Sequence, residues 1–128
     1  MPTILIADDE TNIVELVRVT LEDERIRVVE ALDGETALVL AETHLPDLVL
    51  LDVNLPDVSG LEVCGQLRRD PRLAATKVVM LTAAAQADDV ARGLAAGADH
   101  YLTKPFSPLA LLGLIETLLP CVIVWQRG

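Results

Sequence analysis

Five residues capable of chemistry stand at the ends of apolar runs. Asp52 follows Leu48-Val49-Leu50-Leu51, and the pair Asp8-Asp9 follows Ile4-Leu5-Ile6-Ala7. Thr82 follows Val78-Val79-Met80-Leu81, and Lys104 follows Tyr101-Leu102-Thr103. A carboxylate at the end of a buried strand needs a reason, because leaving water penalises its charged form. Three carboxylates packed together also repel one another, and some stay protonated unless a cation joins them. Hard oxygen ligands that leave waters in place suit Mg2+. Asp9 and Asp52 are expected as direct ligands, with Asp8 close by or acting through water. Asp52 is the candidate nucleophile, since a carboxylate oxygen can attack phosphorus and form an acyl phosphate. The metal would neutralise charge on the transferring group and position it. Lys104 would offer a second cation to phosphoryl oxygens, and Thr82 a hydroxyl hydrogen bond. Ala83 is small, leaving an approach path and an exposed backbone N–H.

Each residue also has a plainer reading. Asp8-Asp9 could cap a helix N-terminus, a task Asp does well. Lys104 could be a solvated surface lysine, and Thr82 a strand-end residue satisfying backbone. Four strand ends carrying such residues together favour one shared site.

The elements that must position them alternate regularly. Strands are predicted at 3–7, 27–31, 47–52, 77–82 and 100–102, and helices at 11–23, 34–43, 59–69, 87–96 and 107–119. The first helix repeats Ile13, Leu16, Val17, Thr20 and Leu21 on one face; the fifth repeats Leu111, Leu112, Ile115, Leu118 and Leu119. Strands 1, 3 and 4 are apolar on consecutive residues, which predicts cover on both faces. Strand 2 (Arg27-Val28-Val29-Glu30) is more polar and suits a sheet edge. The fold class is therefore α/β: a doubly wound, five-stranded parallel sheet with helices on both faces and right-handed crossovers. Ligands of such sheets bind beyond the carboxyl ends of the strands, where all five residues lie.

Composition narrows the function. The chain has 128 residues, 52% of them hydrophobic, with one Trp, one Tyr and one Phe, so the core is aliphatic. A net charge of -10 argues against direct nucleic-acid binding and against docking on an anionic membrane. Cys64 and Cys121 form no CxxC motif or disulfide framework, and a reducing, cytoplasmic setting is expected. Between Pro108 and Trp125 the only charge is Glu116, but the stretch is short for a span, carries that carboxylate and is broken by Pro120. No Ser-His-Asp triad, P-loop or GxGxxG occurs, and His44 and His100 read as surface residues.

Four segments carry a family resemblance: Ala7-Asp8-Asp9-Glu10; Leu51-Asp52-Val53-Asn54-Leu55-Pro56-Asp57-Val58-Ser59-Gly60; Leu81-Thr82-Ala83; and Gly97-Ala98-Asp99-His100-Tyr101-Leu102-Thr103-Lys104-Pro105-Phe106. In this order and spacing, residues 1–119 resemble the CheY-like receiver domain of bacterial two-component response regulators. The resemblance implies a flavodoxin-like sheet of order 2-1-3-4-5. It implies that Asp52 takes a phosphoryl group from a phosphohistidine on a histidine kinase or phosphotransfer protein. It implies Mg2+ held by Asp9, Asp52 and the backbone carbonyl of Asn54, with Asp8 supporting, and a cis bond between Lys104 and Pro105. It further implies a switch in which Thr82 moves toward the phosphoryl group and Tyr101 swings inward. The surface of the fourth helix, fifth strand and fifth helix then reads out the change to an effector or a second copy.

Two departures concern that surface. Winged-helix relatives often carry a second acid after Gly-Ala-Asp, where this chain has His100, and basic residues along the fifth helix, where this chain has none. Leu109 and Leu114 fall off the predicted core stripe of that helix and are expected to be partly exposed, favouring an apolar contact there over an ion-pair dimer. Residues 120–128 read as an apolar tail or the start of a linker.

The competing reading is an enzyme, a haloacid-dehalogenase-like phosphatase, which also uses Mg2+ and an aspartyl phosphate. That class typically places a second acid two residues after the nucleophile as general acid and base. Here the position is Asn54, and no cap domain encloses a substrate. The chain is therefore expected to be a signalling domain whose own chemistry stops at self-phosphorylation and slow hydrolysis.

Overall fold

Consecutive apolar residues force a parallel sheet to be covered on both sides, and the computed structural model shows that arrangement. It describes residues 2–22, 26–83 and 87–119. In chain order the elements are β1 (Thr3–Ala7), α1 (Thr11–Leu21), β2 (Arg27–Ala31), α2 (Gly34–His44), β3 (Leu48–Asp52), α3 (Gly60–Arg69), a 3-10 turn (Pro71–Leu73), β4 (Lys77–Ala83), α4 (Ala87–Ala95), β5 (His100–Lys104) and α5 (Pro108–Leu118). The strands are all parallel, in the order β2-β1-β3-β4-β5. Every residue of β3 is buried, as a central strand requires, while β2 and β5 form the more exposed edges.

The strand period of two divides the core into two layers. Ile4, Ile6, Leu48 and Leu50 point to the layer shared with α1 and α5; Leu5, Ala7, Val49 and Leu51 point to the layer shared with α2 and α3. Side-chain caps fix several helix starts: Ser59 Oγ accepts from Leu61 N–H, and Ser107 Oγ from Ala110 N–H, with Pro108 at the first turn. Predicted and observed elements agree within two residues throughout.

The fifth helix corrects one expectation. Leu109 is 80% exposed, but Leu114 is only 9% exposed and packs in the core. The buried stripe of α5 runs through Leu111, Leu114 and Ile115, at the three- and four-residue spacing of one helical face. Leu112 is half-buried at the border. Centring the stripe between Leu111 and Leu112 rotated Leu114 outward by mistake. Leu114 therefore belongs to the core, not to a partner surface. The predicted tail at 120–128 and Cys121 lie outside the described residues; Cys64 is a buried free thiol. Among the described residues no helix is long and apolar enough to cross a membrane.

Candidate phosphoacceptor site

The sheet delivers its polar strand ends to one edge. Asp52 ends β3 beside Leu81 of β4, so Thr82 stands one step further along the neighbouring strand. Thr82 and Ala83 are paired in register with Thr103 and Lys104 of β5. Asp8 follows β1 directly, and its N–H donates to Ala31 O of β2 at 3.1 Å. Asp8 is fully buried and Asp52 is 4% exposed.

Lys104 is the hub. Its Nζ lies 2.8 Å from Asp8 Oδ2, 2.8 Å from Glu10 Oε1 and 3.3 Å from Asp52 Oδ2. Backbone groups orient the acids: Glu10 N–H donates to Asp8 Oδ1 at 2.9 Å, and Asn54 N–H to Asp52 Oδ1 at 3.2 Å. On the capping alternative for Asp8-Asp9, the N-cap of α1 is Glu10 rather than either aspartate, and its side chain makes no cap hydrogen bond.

Burial pushes the Asp52 carboxyl up from 3.8 to about 6; repulsion from Asp8 adds to the rise, and the Asn54 N–H and the Lys104 ammonium oppose it. Burial works against the charge on Lys104, but hydrogen bonds to Asp8 and Glu10 and the two aspartates outweigh it, and its pKa is raised above the ordinary lysine value. The crevice thus holds a firmly charged ammonium beside a carboxylate that ionises at higher pH than an ordinary aspartate.

Oxygens of Asp8, Glu10 and Asp52 lie within 4.8 Å of one another. Among the described residues, buried Asp8 Oδ2 meets the Lys104 ammonium at 2.8 Å and no other donor, so its second lone pair remains available. An all-oxygen donor set with a spare buried lone pair fits a hard divalent cation. Asp9 is exposed and its carboxylate stands outside this group, so the expected direct ligand is not gathered with the others. Glu10, by contrast, enters the cluster without having been singled out in the sequence. It follows no apolar run; its N–H reaches Asp8 Oδ1 locally, and its carboxylate meets Lys104 across 94 positions.

The remaining candidates sit around the rim. Thr82 is buried and its hydroxyl faces Ala83 O at 3.4 Å. Ala83 is exposed at the end of β4. Asn54 has an exposed side chain and meets Asp52 through its N–H. The Lys104–Pro105 bond is cis. Tyr101 is 40% exposed, its ring 5.6 Å from that of His100 and tilted by 30°. His100, itself exposed, places Nδ1 2.8 Å from Tyr101 O and 2.9 Å from Tyr101 N.

A parallel 2-1-3-4-5 sheet with an acid cluster and a lysine at its carboxyl edge defines a receiver. The family model for the response regulator receiver domain matches residues 4–116, and the chain belongs to that family. It is the phosphorylation-activated switch module of two-component signalling. The chain is 46% identical over 119 residues to the DNA-binding dual master transcriptional regulator RpaA of Synechocystis sp., covering 93% of this chain and 49% of that protein. It is 46% identical over 116 residues to the alkaline phosphatase synthesis transcriptional regulatory protein PhoP of Bacillus subtilis, covering 91% and 48%. The chain therefore spans about half the length of these curated relatives. Among solved structures, the chemotaxis response regulator CheY4 of Vibrio cholerae superimposes with a TM-score of 0.87 at 34% identity, over 93% of this chain and 99% of that one. The BeF3-activated receiver domain of DrrB, an OmpR/PhoB homologue of Thermotoga maritima, gives 0.83 at 37%, over 94% and 98%.

Proposed function

We propose that Asp52 is the phosphoacceptor. One observation carries this reading: Asp52 ends the central strand with Lys104 Nζ 3.3 Å from one carboxylate oxygen and Asn54 N–H 3.2 Å from the other. A carboxylate oxygen of Asp52 attacks phosphorus of a phosphohistidine. The P–N bond breaks, and the leaving imidazole keeps the bonding pair and takes up a proton. The donor is a histidine kinase or a histidine phosphotransfer protein, in the cytoplasm. Magnesium, when bound, supplies positive charge to the transferring phosphoryl group. Asp8 and Asp52 offer it buried oxygens; the family resemblance adds Asp9 and the Asn54 carbonyl. Lys104 balances the phosphoryl charge from the β5 side, and Thr82 and the Ala83 N–H supply hydrogen bonds from β4.

Residues 1–119 act as the receiver unit, whose own chemistry is self-phosphorylation and slow hydrolysis of the acyl phosphate. The new charge at Asp52 biases two arrangements of β4 and β5, a local electrostatic change with a distant readout. Tyr101 and the α4-β5-α5 face, with Leu109 and His100 on it, carry that readout to an output domain, an effector or a second copy. A beryllofluoride complex tests the switch. Backbone and side-chain NMR signals of Thr82 and Tyr101 should shift on adding beryllofluoride with Mg2+, and unmoved signals at both would contradict it.

A further inference from the structure

We propose that Asp57 is a positioning residue for the phosphoacceptor: its carboxylate ties the loop between β3 and α3 to the start of α2 and thereby holds Asn54 against Asp52. The inference rests on the reading of Asp52 and its cation site given above.

A helix begins with N–H groups that have no partner within it. In α2 the local cap Asp33 accepts only from Thr36 N–H through its side chain, at 2.7 Å. The two preceding groups are taken from elsewhere in the chain: Gly34 N–H donates to Asp57 Oδ1 at 2.7 Å, and Glu35 N–H to Asp57 Oδ2 at 2.9 Å. Both carboxylate oxygens are engaged, and the anion sits where the helix dipole favours negative charge. These two bonds hold the Asp57 carboxyl below the usual carboxylate range, so it is ionised at neutral pH.

The junction is also tightly packed. A Cβ on Gly34 would fall 2.3 Å from Val58 Cγ2, so only glycine lets the helix start lie against the loop. At the loop's other end Gly60 N–H donates to Val53 O at 2.8 Å, and a Cβ on Gly60 would fall 2.1 Å from Asp52 O. Between these two fixed points lies Asn54, whose N–H orients Asp52 Oδ1. Among the described residues, the side-chain bonds of Asp57 run to Gly34 and Glu35 and not to Asp52 or Lys104. It acts through the loop: α2 holds Asp57, Asp57 holds the loop, and the loop holds Asn54 on the acceptor.

The test uses wild type, Asp57→Ala and Asp57→Asn. Amide hydrogen exchange is followed without divalent metal, and Mg2+ binding is followed by calorimetry. In Asp57→Ala the amides of Gly34, Glu35 and Asn54 should exchange faster, while those of β1 and β3 keep wild-type protection. Mg2+ affinity should fall about tenfold, the lower end of the loss seen when a group that orients a ligand is removed. Asp57→Asn retains one oxygen acceptor and should recover part of that affinity, which a pure charge effect would not allow. Unchanged Asn54 exchange with unchanged affinity in Asp57→Ala overturns the proposal. So does an equal affinity loss in both variants. Wild type that binds no Mg2+ overturns the cation site itself, and the role of Asp57 with it; wild-type binding shared by Asp57→Ala overturns only the role of Asp57.

Discussion

Lys104 Nζ is closer to Asp8 Oδ2, at 2.8 Å, than to Asp52 Oδ2, at 3.3 Å. The ammonium leans on Asp8 more closely than on Asp52, which stays buried beside it. On the proposed reading, this ammonium, which has no lone pair to offer a metal, balances phosphoryl charge instead. Lys104→Ala should spare most Mg2+ affinity but remove the beryllofluoride-induced NMR shifts on α4, β5 and α5. A calorimetric loss of Mg2+ binding as large as that of Asp52→Asn would contradict this division of roles.

The acid cluster makes a pH prediction with a definite sign. Asp52 binds its proton more tightly in the fold than in the unfolded chain, because burial and Asp8 raise its pKa from 3.8 to about 6. Between those values the native protein holds a proton that the unfolded chain has released, so stability falls as pH rises through the interval and levels off above it. Asp52→Asn removes that loss. Without divalent metal, its melting temperature should exceed that of wild type at pH 7, and the difference should shrink toward pH 4. Melts across that range check it; a difference that grows on acidification would contradict the pKa direction. Below pH 6 the proton also competes with metal, and Mg2+ affinity should weaken by up to about tenfold per pH unit.

Asp8 and Asp9 can be separated. Asp8 is buried in the cluster, whereas Asp9 is exposed and outside it. Both Asp8→Asn and Asp9→Asn should weaken Mg2+ if the full family ligand set operates. Only Asp8→Asn should also alter the metal-free protein, by removing a charge that faces Lys104 and repels Asp52. An NMR titration of the Asp52 carboxyl should show its pKa falling in Asp8→Asn and holding in Asp9→Asn. A fall of equal size in both would mean that Asp9 also faces Asp52.

Leu109 and Leu114 test the corrected face of α5. Leu114→Ala opens a cavity in the layer beneath α5 and should cost about 2–3 kcal/mol in urea denaturation. Leu109→Ala should stay within about 0.5 kcal/mol, as surface changes do. If Leu109 contributes to the output contact, its variant changes oligomeric state or effector binding at unchanged stability.

Much of this was readable in the residues because the physics was local. An apolar run ending in Asp, Thr or Lys states both a strand and its carboxyl end, so Asp8, Asp52, Thr82 and Lys104 could be gathered before any coordinates. Sheet order came from the family resemblance, since strand periodicity says nothing about which strands are neighbours. What escaped was long-range or rotational. The Glu10 carboxylate meets Lys104 across 94 positions, and Asp57 caps α2 from more than twenty residues away. Leu114 was misplaced because a leucine-rich helix offers more than one apolar stripe, and only packing against α1 and the sheet selects one.

The most direct measurement is intact-mass spectrometry after incubation with acetyl phosphate and Mg2+, with the adduct mapped by peptide analysis. The account predicts one phosphoryl group, on Asp52, lost on chelating the metal before the reaction and absent from Asp52→Asn. Full labelling of Asp52→Asn, or a phosphoryl group mapped to another residue in wild type, would contradict it.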